Sequence, residues 1–445
     1  MVCLQSRASS AILRRPQKLG YQPNCLRDCC VGTKTHSSLG REKQNMKSHN
    51  RIWSAMATVF LGGLVVASLF GQEHADPRQM CDGAMRPDLE VTTFEHSDMM
   101  FPSRIVPRGG IVRSLPIADA PLKNVHFEAG GKQYDLFDYL ALNRVAGLLV
   151  LKDGRVALED YELGMRPETR WASFSMAKSV ASTLVGAALE DGLIASLDDQ
   201  LTKYVPAFKG SAYDGVTVRN VLQMASGVKW DETYTDPHSD ARKILDEQLL
   251  QKPGTVVRYM SALPRAGAPG SIWNYSTGET YVVGALLEGA THRSLATYLS
   301  EKIWSRIGME QDATWWLDAP DGMGLAGTGL GATLRDYGRF GLLVQQDGVI
   351  DGRRIVPKGW FEEAGSPKVI DGKPINYGYL WWPLSKGDPV HRSAFQAMGI
   401  FGQHLYINLE QKLVIVELSA RPKPTGSTVV DDIAFFGAIA KALQQ

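Results

Sequence analysis

The sequence predicts an α+β fold: an antiparallel sheet flanked by helices, with an all-helical region inserted. Three observations carry this. Strand-like runs open the main body at 146–161, strand-like runs return at 377–419, and helix-like runs fill the space between. Strands from two ends of a chain most simply share one antiparallel sheet.

Ala146 to Lys152 and Arg155 to Tyr161 flank Asp153-Gly154, a pair suited to the two-residue type I′ turn of a hairpin. Next, Ser179 to Leu189 is uncharged and dominated by Ala and Leu, with Gly186 its one breaker before Asp191-Gly192, so it reads as a helix. Val216 to Met224 is amphipathic and ends at Ser226-Gly227. Thr280–Ala290, Leu295–Ile307 and Thr333–Val344 also read as helices, the last capped by Thr333 with Asp336. Tyr377–Trp382, Ala394–Gly399, Gln403–Asn408 and Lys412–Ser419 have strand character, with a turn over Asn408–Gln411. Val429–Leu443 is a closing helix.

The main domain is therefore expected over 141–445, with its helical insertion over about 195–345. Residues 73–140 are mixed and rich in Pro and Gly, and read as an extended arm with a short helix at Asp135–Leu142. The first 51 residues carry ten Lys/Arg against two Asp/Glu, and residues 1–45 show no apolar periodicity, so this head is expected to be disordered. Ile52 to Gln72 has no formal charge. Read from Met46, it is a positive segment followed by an apolar one, either a cleaved export signal or a retained membrane anchor. Met46 is then an alternative start to Met1, and the protein is expected in the periplasm or cell envelope, with membrane contact through 52–72.

Composition narrows the function. Beyond residue 51 the chain holds 38 basic and 45 acidic residues, which argues against nucleic acid as a partner. Cys81 is the one cysteine beyond the head, so the main body has no internal disulfide to form. Cys25, Cys29 and Cys30 lack partners at zinc-site spacing, and His238, His292, His391 and His404 show no metal pattern, so no metal or other cofactor is expected. The glycine-rich 324–331 loop lacks the Lys-Ser/Thr of a phosphate loop.

The chemistry points to Ser175-Met-Ala-Lys178. On a helix, positions i and i+3 share a face, so the two side chains can touch. A serine hydroxyl needs a base beside it, and lysine serves once burial lowers its pKa. Phe174, Met176, Ala177, Val180 and Ala181 give Lys178 an apolar setting. A second match, Ser226-Gly-Val-Lys229, reads as a helix end.

From about residue 95 onward the chain resembles the serine β-lactamase and penicillin-binding-protein superfamily. Within it, the chain is most similar to class C β-lactamase-related hydrolases of the 6-aminohexanoate-dimer type. Phe174–Lys178, Val221–Gly227, Pro269–Glu279, Tyr298–Met309, Thr333–Phe340 and Met398–Gln403 carry the resemblance, in the family's order. It implies a β-lactamase/transpeptidase-like fold and an acyl-enzyme on Ser175. It implies Lys178 as base, Tyr275 as proton relay, and the Ser175 and Ile400 N–H groups as an oxyanion hole.

Two motifs depart from the pattern. Tyr275-Ser-Thr277 keeps the tyrosine of Tyr-x-Asn but not the asparagine, and a neighbouring lysine ammonium is expected to lower the phenol pKa. The third motif falls on Ala397-Met398-Gly399, without the usual Lys or His. Gly399 still lets backbone approach substrate. Trp230–Asp240 falls where the family places a substrate loop. Asp231, Glu232, Asp236 and Asp240 are its carboxylates, and Tyr234, Asp236, Thr277 and Gly399 are the candidate substrate contacts. The expected substrate is a small linear amide or ester. The alternatives are a D-alanyl carboxypeptidase or weak β-lactamase, and a non-catalytic envelope binding protein of the same fold. The sequence leaves the oligomeric state open.

Overall fold

The computed structural model describes residues 75–384 and 388–444; the basic head and the 52–72 run lie outside them. Two antiparallel sheets organise the chain. Their strands in chain order are β1 (Ser103–Val106), β2 (Val145–Lys152), β3 (Arg155–Tyr161), β4 (Arg170–Ala172) and β5 (Ala313–Trp316). These are followed by β6 (Leu330–Thr333), β7 (Trp382–Pro383), β8 (Ala394–Gly399), β9 (Gln403–Asn408) and β10 (Leu413–Ser419). The larger sheet runs β7-β8-β9-β10-β2-β3, so the first hairpin pairs with the last strand, as strands at both ends of the domain require. The hairpin turn has Asp153 at φ 50° and Gly154 at φ 77°, the two left-handed positions of a type I′ turn. The smaller sheet runs β1-β5-β6-β4.

Six helices matter for the site: α1 (Pro87–Glu95), α2 (Met176–Glu190), α3 (Asp240–Leu249), α4 (Thr277–Thr291), α5 (Leu334–Gln345) and α6 (Asp432–Ala442). α5 and α2 cover one face of the larger sheet, and α4 packs outside α2. Glycine lets α5 lie close: a Cβ on Gly338 would stand 2.5 Å from Leu149, and one on Gly341 2.5 Å from Val414. Thr333 caps this helix, accepting from the Asp336 N–H at 3.2 Å. On the other face, Phe435, Phe436 and Ile439 of α6 pack with Tyr139, Val150 and Ile415. Thirteen of the fifteen α2 residues are buried, so its Ala-rich sequence serves close packing on all sides rather than an amphipathic surface.

Three expectations need correction. The 73–140 segment is more than an extended arm: it forms helices at Pro77–Asp82 and α1, contributes β1 to the smaller sheet, and folds a hairpin over 127–134 before the helix Leu136–Leu142. The region 195–345 is helical through Trp304, then supplies β5 and β6. Its last helix, α5, belongs to the layer on the larger sheet. Tyr377–Trp382 is mostly irregular; the strand begins only at Trp382, with Tyr377, Tyr379 and Trp381 buried as packing groups.

Candidate active site

Ser175 stands where β4 becomes α2. After Ala172 leaves its pairing with β6, the Ser173 N–H still donates to the Leu330 carbonyl at 2.8 Å. Phe174 then takes a left-handed φ of 45°, turning the chain from strand to helix within one residue. A non-glycine residue in that region carries strain held by its surroundings. Ser175 becomes the N-cap of α2, yet its hydroxyl caps no backbone N–H, which leaves it available.

One helical step on, Lys178 Nζ lies 2.7 Å from Ser175 Oγ and 2.8 Å from the Gly327 carbonyl oxygen. Lys178 is 2% exposed. Burial pushes its pKa down to about 8, against a smaller opposing pull from Glu232. The Tyr275 ring lies 5.3 Å from Nζ, and the ring of Trp382 stacks on Tyr275 at 5.6 Å.

Tyr275 departs from its expected electrostatics. Burial and the Glu232 carboxylate hold its phenol above the ordinary range, opposed only in part by a hydrogen bond with the Ser175 side chain. The lysine was expected to lower it. Desolvation wins because the half-buried ring keeps too little water to stabilise a phenolate. Tyr275 is therefore a neutral phenol with a proton to give.

Facing Ser175, β8 ends at Gly399. A Cβ there would sit 2.4 Å from the Ser173 carbonyl, so only glycine permits this approach of the two backbones. Among the described residues, neither the Ser175 nor the Ile400 N–H donates to a protein acceptor. The Ile400 turn is held by Gln403. Its Nε2 donates to the Ile400 and Ser419 carbonyls at 3.2 and 2.8 Å, and its Oε1 accepts from Trp171 Nε1 at 3.0 Å.

In the 230–240 loop, the carboxylate that reaches the site is Glu232. It accepts from the Thr277 N–H at 2.9 Å, from the Tyr234 hydroxyl at 2.8 Å, and from Thr277 Oγ1 and Trp230 Nε1. Thr277 opens α4, so the carboxylate sits at a helix N-terminus, where negative charge is favoured. Asp236 instead closes a turn, accepting from the His238 N–H at 2.8 Å, and lies outside both cavities beside Ser175. The signal that separates Glu232 from its neighbours is three-dimensional, the start of α4. Of the other candidates, Tyr234 lines both cavities, Thr277 lines one while its hydroxyl is held by Glu232, and Gly399 lines the other.

The larger cavity, about 350 Å³, holds Ser175, Glu232, Tyr275, Trp382, Met398 and Gly399, with Arg421, Lys423 and His404 farther along. His404, which shows no metal pattern in the sequence, is buried and bonds Gln396, and it also lines this cavity. Arg421 does not simply replace the missing third-motif cation: its terminal nitrogens bond Glu417, Asp432 and Thr428. The second Ser-x-x-Lys is no site, because Ser226 bonds Glu279 and Lys229 is exposed.

A serine freed at a helix start, a buried lysine against its hydroxyl, and two nearby backbone N–H groups without a protein acceptor define a serine hydrolase. The chain belongs to the β-lactamase family, whose model, described as Beta-lactamase, matches residues 142–436. It is 30% identical over 292 residues to the 6-aminohexanoate-dimer hydrolase of Paenarthrobacter ureafaciens, covering 62% of this chain and 72% of that protein. It is also 30% identical over 169 residues to Esterase EstB of Burkholderia gladioli, covering 34% and 41%. The fold matches a structure described as a putative 6-aminohexanoate-dimer hydrolase from Bacillus anthracis. Its TM-score is 0.71 at 22% identity, over 84% of this chain and 99% of that one.

Proposed function

We propose that the enzyme cleaves small linear amides or esters through an acyl-enzyme on Ser175. The observation that carries this is the 2.7 Å approach of Lys178 Nζ to Ser175 Oγ, with the lysine buried and its pKa at about 8. At pH 7 roughly a tenth of the lysine is then neutral and able to accept a proton, far more than an exposed lysine offers. Ser175 Oγ attacks the carbonyl carbon while its proton passes to Lys178. The carbonyl oxygen, now negative, is received by the Ser175 and Ile400 N–H groups. As the bond to the leaving amine or alcohol breaks, Tyr275 gives that group its proton and is reprotonated from Lys178. Water adds to the acyl carbon, passes a proton back along the same route, and frees the acid and Ser175.

Labelling by a fluorophosphonate tests this. Phosphonylation of the Ser175 peptide, found by mass spectrometry and absent in Ser175→Ala, is the expected result. No label, or a label elsewhere, refutes the assignment.

We further propose that the enzyme works beyond the inner membrane, supported by the basic head and the uncharged 52–72 run. An alkaline phosphatase fused after residue 80 is expected to be active; an inactive fusion, with a cytoplasmic reporter active in its place, refutes export.

A further inference from the structure

A second cavity, of about 80 Å³, opens on the other side of Ser175. It shares only Ser175, Tyr234 and Ile400 with the larger one. Besides residues around Ser175 and the start of α4, three distant parts of the chain contribute to its walls. Met80, Cys81 and Phe101 belong to the segment before the main domain, Ala241, Ile244, Leu245 and Gln248 to α3, and Trp316 to β5. No Asp, Glu, Lys, Arg or His side chain lines it. Gln248 is 4% exposed, and its side chain lies against the Tyr281 hydroxyl. A wall without a countercharge disfavours an ammonium and suits an uncharged chain.

The two cavities divide the substrate. Tyr275, which protonates the leaving atom, lines the larger cavity and is absent from the smaller. The leaving group therefore extends toward Tyr275, Trp382 and Arg421. The acyl chain, on the other side of the carbonyl carbon, enters the smaller cavity past Ile400. Resting on the Ser175 assignment, we infer that this cavity is the acyl pocket and takes a short, straight, uncharged chain, and that the segment before the main domain forms part of its wall. A cavity of 150 Å³ holds benzene, so about 80 Å³ accommodates roughly three to four chain atoms beyond the carbonyl. Glu232 stands in the other cavity, and a charged acyl tip would be desolvated here without a partner.

Alkylboronic acids test the pocket without requiring turnover. The Ser175 oxygen bonds to boron and its proton passes to Lys178, giving a tetrahedral boronate whose alkyl group occupies the place of the acyl chain. Calorimetry on the full chain is expected to show butylboronic acid binding more than tenfold tighter than methylboronic acid, since butyl buries three more methylene groups. Octyl- and 4-aminobutylboronic acids should both bind more weakly than butyl. Ala241→Phe fills the pocket and should bring the butyl-to-methyl ratio toward one; Met80→Ala enlarges it and should move the preferred length up by one or two carbons. Equal methyl and butyl affinities, tighter binding of 4-aminobutyl than butyl, or an unmoved length preference in both variants would overturn the pocket while leaving Ser175 in place. Failure of every boronate to bind would overturn the nucleophile, and the pocket with it.

Discussion

The rings of Phe174 and Phe401 lie 5.3 Å apart, and both residues have left-handed backbones, at φ 45° and 64°. Phe174 directly precedes Ser175, and Phe401 directly follows Ile400. The two strained turns that present the free N–H groups are thus packed against each other. Phe94 of α1 touches both rings, at 4.9 and 5.0 Å. Strain of this kind persists only where packing over-determines it.

Phe94 is accordingly a positioning residue. Phe94→Ala is expected to lower kcat on an activated ester by about 10- to 100-fold, the cost of a misplacement near 1 Å, with little change in KM. Phe94→Leu should recover most of the loss. A purely structural role would lower the folded fraction and leave kcat per folded molecule unchanged, which active-site titration separates.

The pH profile follows from Lys178. Its neutral form is the base, so kcat/KM should rise with pH through an apparent pKa of about 8. Glu232 favours the lysine ammonium and so raises that pKa. Glu232→Gln should therefore move the rising limb to lower pH. A limb that stays in place or moves upward contradicts the coupling.

Gly399 carries the approach of the two backbones. With a Cβ placed 2.4 Å from the Ser173 carbonyl, Gly399→Ala must push β8 away from Ser175. A loss in kcat of about 100-fold is expected, read at saturating ester with circular dichroism to confirm folding. Retained activity would mean that the Ile400 N–H is not needed.

Substrate preference follows from the third motif. Ala397 and Met398 offer a methyl group and a thioether where the resemblance implies a cation and a neighbouring hydroxyl, and Arg421 is held by Glu417 and Asp432. A charge-assisted hydrogen bond contributes roughly 1.5–3 kcal/mol, so a β-lactam carboxylate should lose about one to two decades in kcat/KM. p-Nitrophenyl butyrate is expected to be cleaved far faster than a cephalosporin. A cephalosporin value equal to or above the ester value would instead favour a β-lactamase.

Local signals made the nucleophile and much of the sheet legible. Ser175 and Lys178 are one helical step apart, and Asp153-Gly154 specifies its turn by itself. The helices of the 73–140 segment were hidden by their prolines. Pro77 and Pro87 add to a Pro-rich composition, but each occupies the first position of a helix, where the missing N–H costs nothing. β5 and β6 were hidden because each is four residues long and their outer partners, β1 and β4, lie far away in sequence. Glu232 could not be told from Asp236 because the choice depends on where the Thr277 N–H points. The acyl pocket was out of reach for the same reason, since Met80, Leu245 and Trp316 meet only in the folded chain.

The central claim is that Ser175 carries the acyl group. The most direct measurement is kcat of Ser175→Ala on p-nitrophenyl butyrate, with its thermal unfolding followed alongside the wild type. Removing a nucleophile should cost several orders of magnitude in kcat while the fold survives, because the hydroxyl caps no backbone group of α2. A folded variant that keeps more than about a tenth of the wild-type rate, a loss below about 1.4 kcal/mol, would contradict the account.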